Sequence, residues 1–527
     1  MALRNKLLPI VSMPGLSLFA ACSTGAKAAA RSFGMRLVAE ASPADFHGAV
    51  RIAKSAALLN EATYGLARRR PEQSASRRLT GPQAAILLGL ASAGLYAGAT
   101  MPGPIVWSVA NLLAGLFFLS LIALRLLCLL PQQNHSPAES PALSDADLPV
   151  YSVLVPLFRE TAVLRQLLGA LGKLSYPAHK LDIKLILEEN DTLTRSAVAD
   201  IVLPQHFEVI VVPAGLPQTK PRALNYALHF ARGSLITIYD AEDIPEPRQL
   251  RIAAATFAKR PETTACLQAQ LAFYNPNENW LTRQFTIEYA TLFGLLLPAL
   301  ASCGLPLPLG GTSNHFRSHI LREVGAWDPF NVTEDADLGF RLARAGFRTE
   351  AIDSRTYEEA NMQLLNWLKQ RTRWLKGFLA TWLVHMRAPA QLVRELGVSG
   401  FWALQACTIG VFISALLHPI CTVATAVVLV ANADAPEGAS LIACGLAGLN
   451  IVVLAAGYAS AAIAGHKALR QQGITGWMFP LATLPFYWLL MSVAAWTALW
   501  QFITAPRYWN KTEHGLSNFQ KPSSLSD

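Results

Sequence analysis

The sequence predicts a doubly wound α/β domain inserted between α-helical transmembrane segments, and three observations predict it. The chain is 52% apolar with a mean hydropathy of +0.31 over 527 residues, too apolar for a soluble protein of that length. A polar island at residues 150–390 interrupts long apolar runs. Within it, short apolar runs alternate with helical patterns, the rhythm of parallel strands and crossover helices.

Residues 1–81 come first, with Arg31, Arg36, Arg51, Lys54, Arg68, Arg69, Arg70, Arg77 and Arg78 scattered among small and polar side chains. They read as a basic cytosolic extension, partly disordered. A rival reading takes Arg4, Lys6, the apolar run 7–21 and Cys22 as a lipoprotein-type signal, but processing there would export the Arg-rich stretch against the positive-inside tendency. Two apolar runs follow within 82–130, each near the roughly 20 residues that span a bilayer. Only Met101-Pro102-Gly103 separates them, so they form a hairpin. A polar linker, 131–149, leads into the island.

After the island, residues 391–505 hold apolar runs at 401–430 and 441–465, joined by an acidic loop that includes Asp434 and Glu437. The next connector, with His466, Lys467 and Arg470, is basic, as is the tail 506–527 with Arg507, Lys511 and Lys521. Basic residues mark cytosolic segments, which puts the island, that connector and the tail in the cytosol. The last apolar run, 474–503, must then begin and end on one side. With Pro480 and Pro485 inside it, an interfacial or re-entrant segment is expected, with a tight hairpin as the alternative. The net charge of +9 therefore reports topology, and no nucleic-acid partner is expected. Seven widely spaced cysteines form neither a disulfide framework nor a zinc pattern.

Inside the island the runs 150–155, 183–187, 207–212 and 235–239 suit buried parallel strands, and 161–174 and 222–231 suit helices. A doubly wound sheet binds ligands at the carboxyl ends of its strands. Glu188-Glu189-Asn190-Asp191 and Asp240-Ala241-Glu242-Asp243 directly follow two of them. A solvated loop would also account for the second cluster; hard carboxylate oxygens after an apolar strand equally suit Mg²⁺ or Mn²⁺, which hold a diphosphate. In Thr333-Glu334-Asp335, Thr333 reads as a helix cap with acidic residues in the first turn, and a placed carboxylate is also a general base. Gln370, Arg373 and Trp374 fall at i, i+3 and i+4 on one face of a helix over 364–384. That face suits a membrane surface, and it also offers planar phosphate donors and a ring for a sugar.

The order of Val155-Pro156-Leu157-Phe158-Arg159-Glu160, Lys220-Pro221-Arg222-Ala223-Leu224-Asn225, Asp240-Ala241-Glu242-Asp243, Thr333-Glu334-Asp335 and Gln370-Arg371-Thr372-Arg373-Trp374, between apolar flanks, resembles family-2 glycosyltransferases of the membrane-integral, processive, cellulose-synthase-like type, including bacterial members that make exopolysaccharides. The resemblance covers 150–390. It implies a GT-A-like nucleotide-sugar-binding fold at the inner plasma membrane. It also implies Asp335 as the general base, with Asp240, Glu242 and Asp243 serving the metal and diphosphate. Gln370, Arg371, Arg373 and Trp374 would bind pyrophosphate and acceptor, with Glu334 beside them. Gly310-Gly311-Thr312-Ser313-Asn314-His315-Phe316-Arg317 looks like the acceptor-side loop. One departure concerns the nucleotide end: relatives commonly carry Asp-Asp-Gly where this chain has Glu188-Glu189-Asn190-Asp191, and Glu189 and Asp191 are expected to share that role, with Lys220 and Asp240 also facing the nucleotide.

A single displacement follows. Asp335 takes a proton as the acceptor oxygen attacks the anomeric carbon, while a metal and arginine stabilise the leaving diphosphate. The expected partners are a nucleotide sugar, UDP-linked as the resemblance implies, a growing β-linked polysaccharide, membrane lipid, and an export or regulatory protein. Two other readings stand beside it: a non-processive transferase acting on a lipid-linked acceptor, and a catalytically silent membrane subunit. A crossing at 293–309 would part Asp240 from Asp335, so that stretch, with Pro298, Pro306 and Pro308, is expected to be a broken helix in the interface.

Overall fold

Strand order explains why the acidic motifs converge. The computed structural model describes residues 7–13, 16–21, 36–40, 43–77, 79–130, 143–433, 441–505, 515 and 517. Its central sheet has strands β1 (Tyr151–Leu157), β2 (Leu181–Glu188), β3 (Phe207–Val212), β4 (Leu235–Ile238), β5 (Ile244–Pro245), β6 (Thr264–Phe273), β7 (Asn314–Arg317) and β8 (Arg348–Glu358). They lie in the order β3-β2-β1-β4-β7-β6-β8-β5. The expected runs are β1 to β4, which pair in parallel. Beyond them the sheet is mixed: β7 is antiparallel to both β4 and β6, and β8 is parallel to β6.

The parallel half is buried on both faces, so its strands read as nearly continuous apolar runs. Two charges break that pattern in β2 before Glu188 at its end, and they are compensated inside the sheet. Lys184 Nζ lies 2.7 Å from Asp182 and 2.5 Å from Glu208, and Ser152 donates to Asp182 at 2.7 Å. The sequence signal for β7 was weaker, because its four residues fall inside the stretch expected as an acceptor loop. His315, Phe316 and Arg317 are ladder residues paired with β4; only the turn before them reaches the site.

The helix Trp280–Thr291 starts where Asn279 accepts from Thr282 N at 2.9 Å in a capping box and continues through a π turn to Ser302. Over the most apolar part of Trp280–Ser302, 56% is buried inside the protein, against 33% or less in the other helices long and apolar enough to cross a membrane. It packs on the α/β domain. Those others are Gly81–Thr100, Gly103–Leu127, Pro389–Val427, Cys444–Gln471 and Leu484–Thr504. The run expected as a re-entrant segment or hairpin is one short helix, Met478–Ala482, and one continuous helix, Leu484–Thr504.

Within the N-terminal extension, Leu7–Met13, Leu16–Ala21 and Arg36–Glu40 form a small separate sheet. The helix Pro43–Arg69 lies against the helix Lys220–Leu228, with Ala62 and Leu66 buried and Asn225 donating to Ala62 O at 3.0 Å. Cys22, the linker residues 131–142, the acidic-loop residues 434–440 and nearly all of the tail lie outside the described residues.

Candidate active site

The carboxyl ends of β1, β2 and β4 open into a cavity of about 240 Å³, closed on its far side by the helices Glu334–Arg344 and Leu364–His385. From the sheet it receives Pro156, Glu188, Asp240 and Glu242; from the helices it receives Glu334, Asp335, Gln370, Arg373 and Trp374. Lys220 and the Gly311-Thr312 turn complete the floor.

Lys220 organises the middle of this cavity. Its ammonium lies 2.5 Å from Asp240 Oδ1 and donates to Gly311 O at 2.8 Å. Burial alone would lower its pKa, but the Asp240 and Glu334 carboxylates outweigh burial and hold it well above the ordinary lysine range. Asp335 faces Gly311: a Cβ placed on that glycine would sit 3.2 Å from Asp335 Oδ2 and 3.9 Å from Asp240 Oδ2. Glycine therefore leaves room between the two carboxylates. Asp335 Oδ1 accepts from Ala336 N at 2.7 Å. Burial, reinforced by Asp240, raises the Asp335 pKa above the usual carboxylate value, and burial with the Asp335 charge raises Glu334 further.

The helix bearing Asp335 is fixed from behind. Asp337, fully buried, pairs with Arg341 at 2.7 Å and with His385 Nε2 at 3.1 Å. Arg344 donates to His385 Nδ1 at 3.1 Å, so the neutral ring carries its proton on Nε2 and donates to Asp337. Thr333 occupies the cap position without capping. Its hydroxyl turns instead to Thr381 at 3.2 Å, joining the Asp335 loop to the helix of Gln370. The two approach closely because of Gly377, where a Cβ would lie 2.3 Å from Thr333 Cγ2.

The expected helix face assembles: Gln370, Arg373 and Trp374 all line the cavity. Arg371 does not. It points away and pairs with Glu288 at 2.7 and 2.8 Å. At the nucleotide end, Glu189 is exposed and accepts from Ala214 N at 2.8 Å, while Asp191 is buried and caps the helix Thr192–Ala199. Neither lines the cavity; Glu188 does, held at 2.6 Å by the fully buried Arg222. The physical reason is strand length, because β2 runs through Glu188 before the chain turns outward. Asp243 is also displaced from the expected set. It is fully buried, and its Oδ2 accepts from Asp240 N and Thr312 Oγ1, which fixes the turn.

Among the described residues, no three His, Cys, Asp or Glu side chains form a ready-made metal set. The chemistry of the wall nevertheless fits a hard cation. Asp240, Glu242 and Glu358 face one cavity, and Glu358 Oε1 and Asp243 Oδ1 are buried without a hydrogen-bond partner. Burial and neighbouring carboxylates push the Glu358 and Asp243 pKa values well up, the signature of a site short of positive charge. Glu358 escaped the sequence reading because it ends β8, a half-exposed strand without a clear apolar run.

Residues 149–377 match the family model described as glycosyltransferase like family 2. A probable glycosyltransferase, YdaM, of Bacillus subtilis is 26% identical over 234 residues, 44% of this chain and 56% of that protein. A beta-monoglucosyldiacylglycerol synthase of Synechocystis is 26% identical over 314 residues, covering 57% and 62%. Glucomannan 4-beta-mannosyltransferase 2 of Arabidopsis thaliana is 26% identical over 216 residues, covering 39% and 40%. The chain thus spans about half the length of the curated relatives it matches. A solved mannosyltransferase of Pyrobaculum calidifontis with GDP-Man and Mn²⁺ aligns at TM-score 0.47 and 16% identity, over 75% of this chain and 97% of that one. The match to glycosyltransferase like family 2 thus falls on the α/β domain, which several long apolar helices flank.

Proposed function

We propose that the chain is an inverting glycosyltransferase that moves a sugar from a nucleoside-diphosphate donor to an acceptor hydroxyl at a membrane surface. One observation carries the reading: a single cavity joins Asp240, Glu242 and Lys220 to Asp335, Gln370, Arg373 and Trp374. The donor lies along the strand ends with its diphosphate near Lys220 and Arg373. Asp335 accepts the acceptor proton as the new C1–O bond forms, and the bond to the diphosphate oxygen breaks with its electron pair. Asp240 and Glu242, with Glu358 beside them, would hold Mg²⁺ or Mn²⁺, which supplies positive charge for the departing diphosphate.

The processive reading expects a glycan acceptor threaded through the apolar helices. A second reading, a lipid acceptor, is favoured by the 550 Å³ cavity lined from Gly81–Thr100, Gly103–Leu127, Leu364–His385, Pro389–Val427 and Leu484–Thr504. Among the described residues its lining is apolar, such as Leu87, Phe117 and Trp402, apart from Ser120 and Gln405, a surface suited to an acyl chain and poor for a sugar. For topology, both Gly515 and Ser517 bond to Glu359 of the α/β domain, at 2.5 and 2.8 Å. The Leu484–Thr504 helix also touches the Gln370 helix along its length, through Tyr487 to Arg371 and Gln501 to Lys376. These contacts support one side of the membrane for domain and tail, which the basic residues of both assign to the cytosol in this reading.

The test is incubation of membranes with UDP- and GDP-sugars and Mg²⁺ or Mn²⁺, followed by solvent extraction and linkage analysis. Label in a lipid extract identifies the lipid acceptor; label in an insoluble β-linked chain identifies the processive enzyme. No transfer from any donor, beside an active control synthase, would refute the enzyme reading.

A further inference from the structure

The second residue of the Gln370-Arg371-Thr372-Arg373-Trp374 motif sits in a setting of its own. Arg371 is 2% exposed. Its Nη1 and Nη2 donate to the two oxygens of Glu288 at 2.7 and 2.8 Å, and Nη2 also lies 3.1 Å from Tyr487 Oη. The tyrosine in turn donates to Glu288 Oε2 at 2.6 Å. The guanidinium carbon stands 4.2 Å from the Phe285 ring centre, 4.6 Å from Trp374 and 5.4 Å from Trp367. Trp374 rests as well on Tyr289, nearly parallel at 6.2 Å, and edge-on against Phe285 at 6.2 Å.

We propose that Arg371 is a positioning residue, which holds the Trp374 ring at the acceptor side of the cavity and makes no contact with the donor diphosphate. The inference rests on the glycosyltransferase reading for what Trp374 receives. A forked, bidentate arginine–carboxylate pair fixes a plane, and the plane here lies against the indole of a residue one helical turn on. Reaching a phosphate would break two charge-assisted bonds and leave Glu288 uncompensated in a half-buried site. Arg373, by contrast, lines the cavity itself. Because the clamp takes Glu288 from one helix, Arg371 from a second and Tyr487 from a third, the seating of the Leu484–Thr504 helix fixes the orientation of Trp374.

The test compares Arg371→Lys, Glu288→Gln and Tyr487→Phe with Arg373→Ala in the full-length protein. Arg371→Lys keeps the charge and loses the fork; Tyr487→Phe removes one oxygen and keeps the fold. UDP and GDP affinity is measured with Mn²⁺, which needs no turnover. Binding within about twofold of wild type in the three clamp variants, with a loss of about tenfold in Arg373→Ala, is expected. The acceptor KM should rise about tenfold in Arg371→Lys while the donor KM stays put, and Glu288→Gln with Arg371→Gln should recover more than either change alone. A fall in nucleotide affinity in Arg371→Lys matching Arg373→Ala, or an unchanged acceptor KM, overturns the proposal. If wild type transfers no sugar, the enzyme reading fails on that control alone. The clamp is then judged by thermal unfolding, where Arg371→Met and Trp374→Leu must lower Tm less together than the sum of their separate effects; strict additivity overturns it.

Discussion

The two walls of the cavity are built differently. The sheet wall places Glu188, Asp240 and Glu242 at strand ends, so a few residues of local sequence determine where they point. The helix wall places Asp335, Gln370, Arg373 and Trp374 through contacts far apart in the chain: Gly377 against Thr333, His385 against Asp337, Arg371 against Glu288. The sheet wall is therefore preformed by strand geometry, whereas the helix wall depends on how three helices seat against one another.

Removing the proposed base tests the helix wall most severely. Asp335→Asn should lower kcat by a factor of about 10² to 10⁴ and leave UDP or GDP affinity near wild type, since the sheet wall is untouched. Steady-state kinetics beside a nucleotide-binding measurement reads both. Loss of nucleotide binding along with rate would mean that Asp335 serves the donor.

The sheet wall breaks at Arg222. Its guanidinium is fully buried against Glu188, and Arg222→Met strands a buried carboxylate at a cost of about 3–5 kcal/mol. Unfolding in detergent should show that loss together with weakened nucleotide binding, and adding Glu188→Gln should restore much of the stability. Gly377→Ala should cost less, about 1–3 kcal/mol of overpacking against Thr333. Its signature should be a raised acceptor KM with nucleotide affinity retained, and Thr333→Ala should relieve it by removing the two nearest atoms.

The same division governs how much was legible in the sequence. Strands β1 to β4 and the clusters behind them were readable because a buried parallel strand announces itself as an apolar run and a doubly wound sheet puts its site at the strand ends. The i, i+3, i+4 face of Gln370, Arg373 and Trp374 was readable for the same reason, periodicity. What failed were choices between adjacent residues. Glu188 and Glu189 differ only in where β2 stops. Arg371 and Arg373 are both cationic in one motif, and Glu288, 83 residues from Arg371 in the chain, is what turns Arg371 away from the cavity that Arg373 lines. Asp243 does not line the cavity: Asp240 N and Thr312 hold one of its oxygens and leave the other buried without a partner. β7 and β8 were hidden because their pairing partners, not their own patterns, make them strands.

The smallest expected effect joins the two walls. Burial favours the neutral form of Asp335, and the Asp240 charge adds to that preference, while Lys220 opposes it. The base works only when ionised, so transfer should fall as pH drops through a value above the ordinary aspartate range near about 3.9. Lys220 sits on the floor between the walls, and its ammonium is the cation that Asp240 neutralises at 2.5 Å. In Lys220→Met the Asp240 charge is left uncompensated beside Asp335, and the proton is held more tightly. The acid limb of kcat/KM should then move to higher pH, whatever the change in the plateau rate. An acid limb that stays fixed, or moves to lower pH, would show that the two walls titrate independently and that Lys220 serves the donor alone.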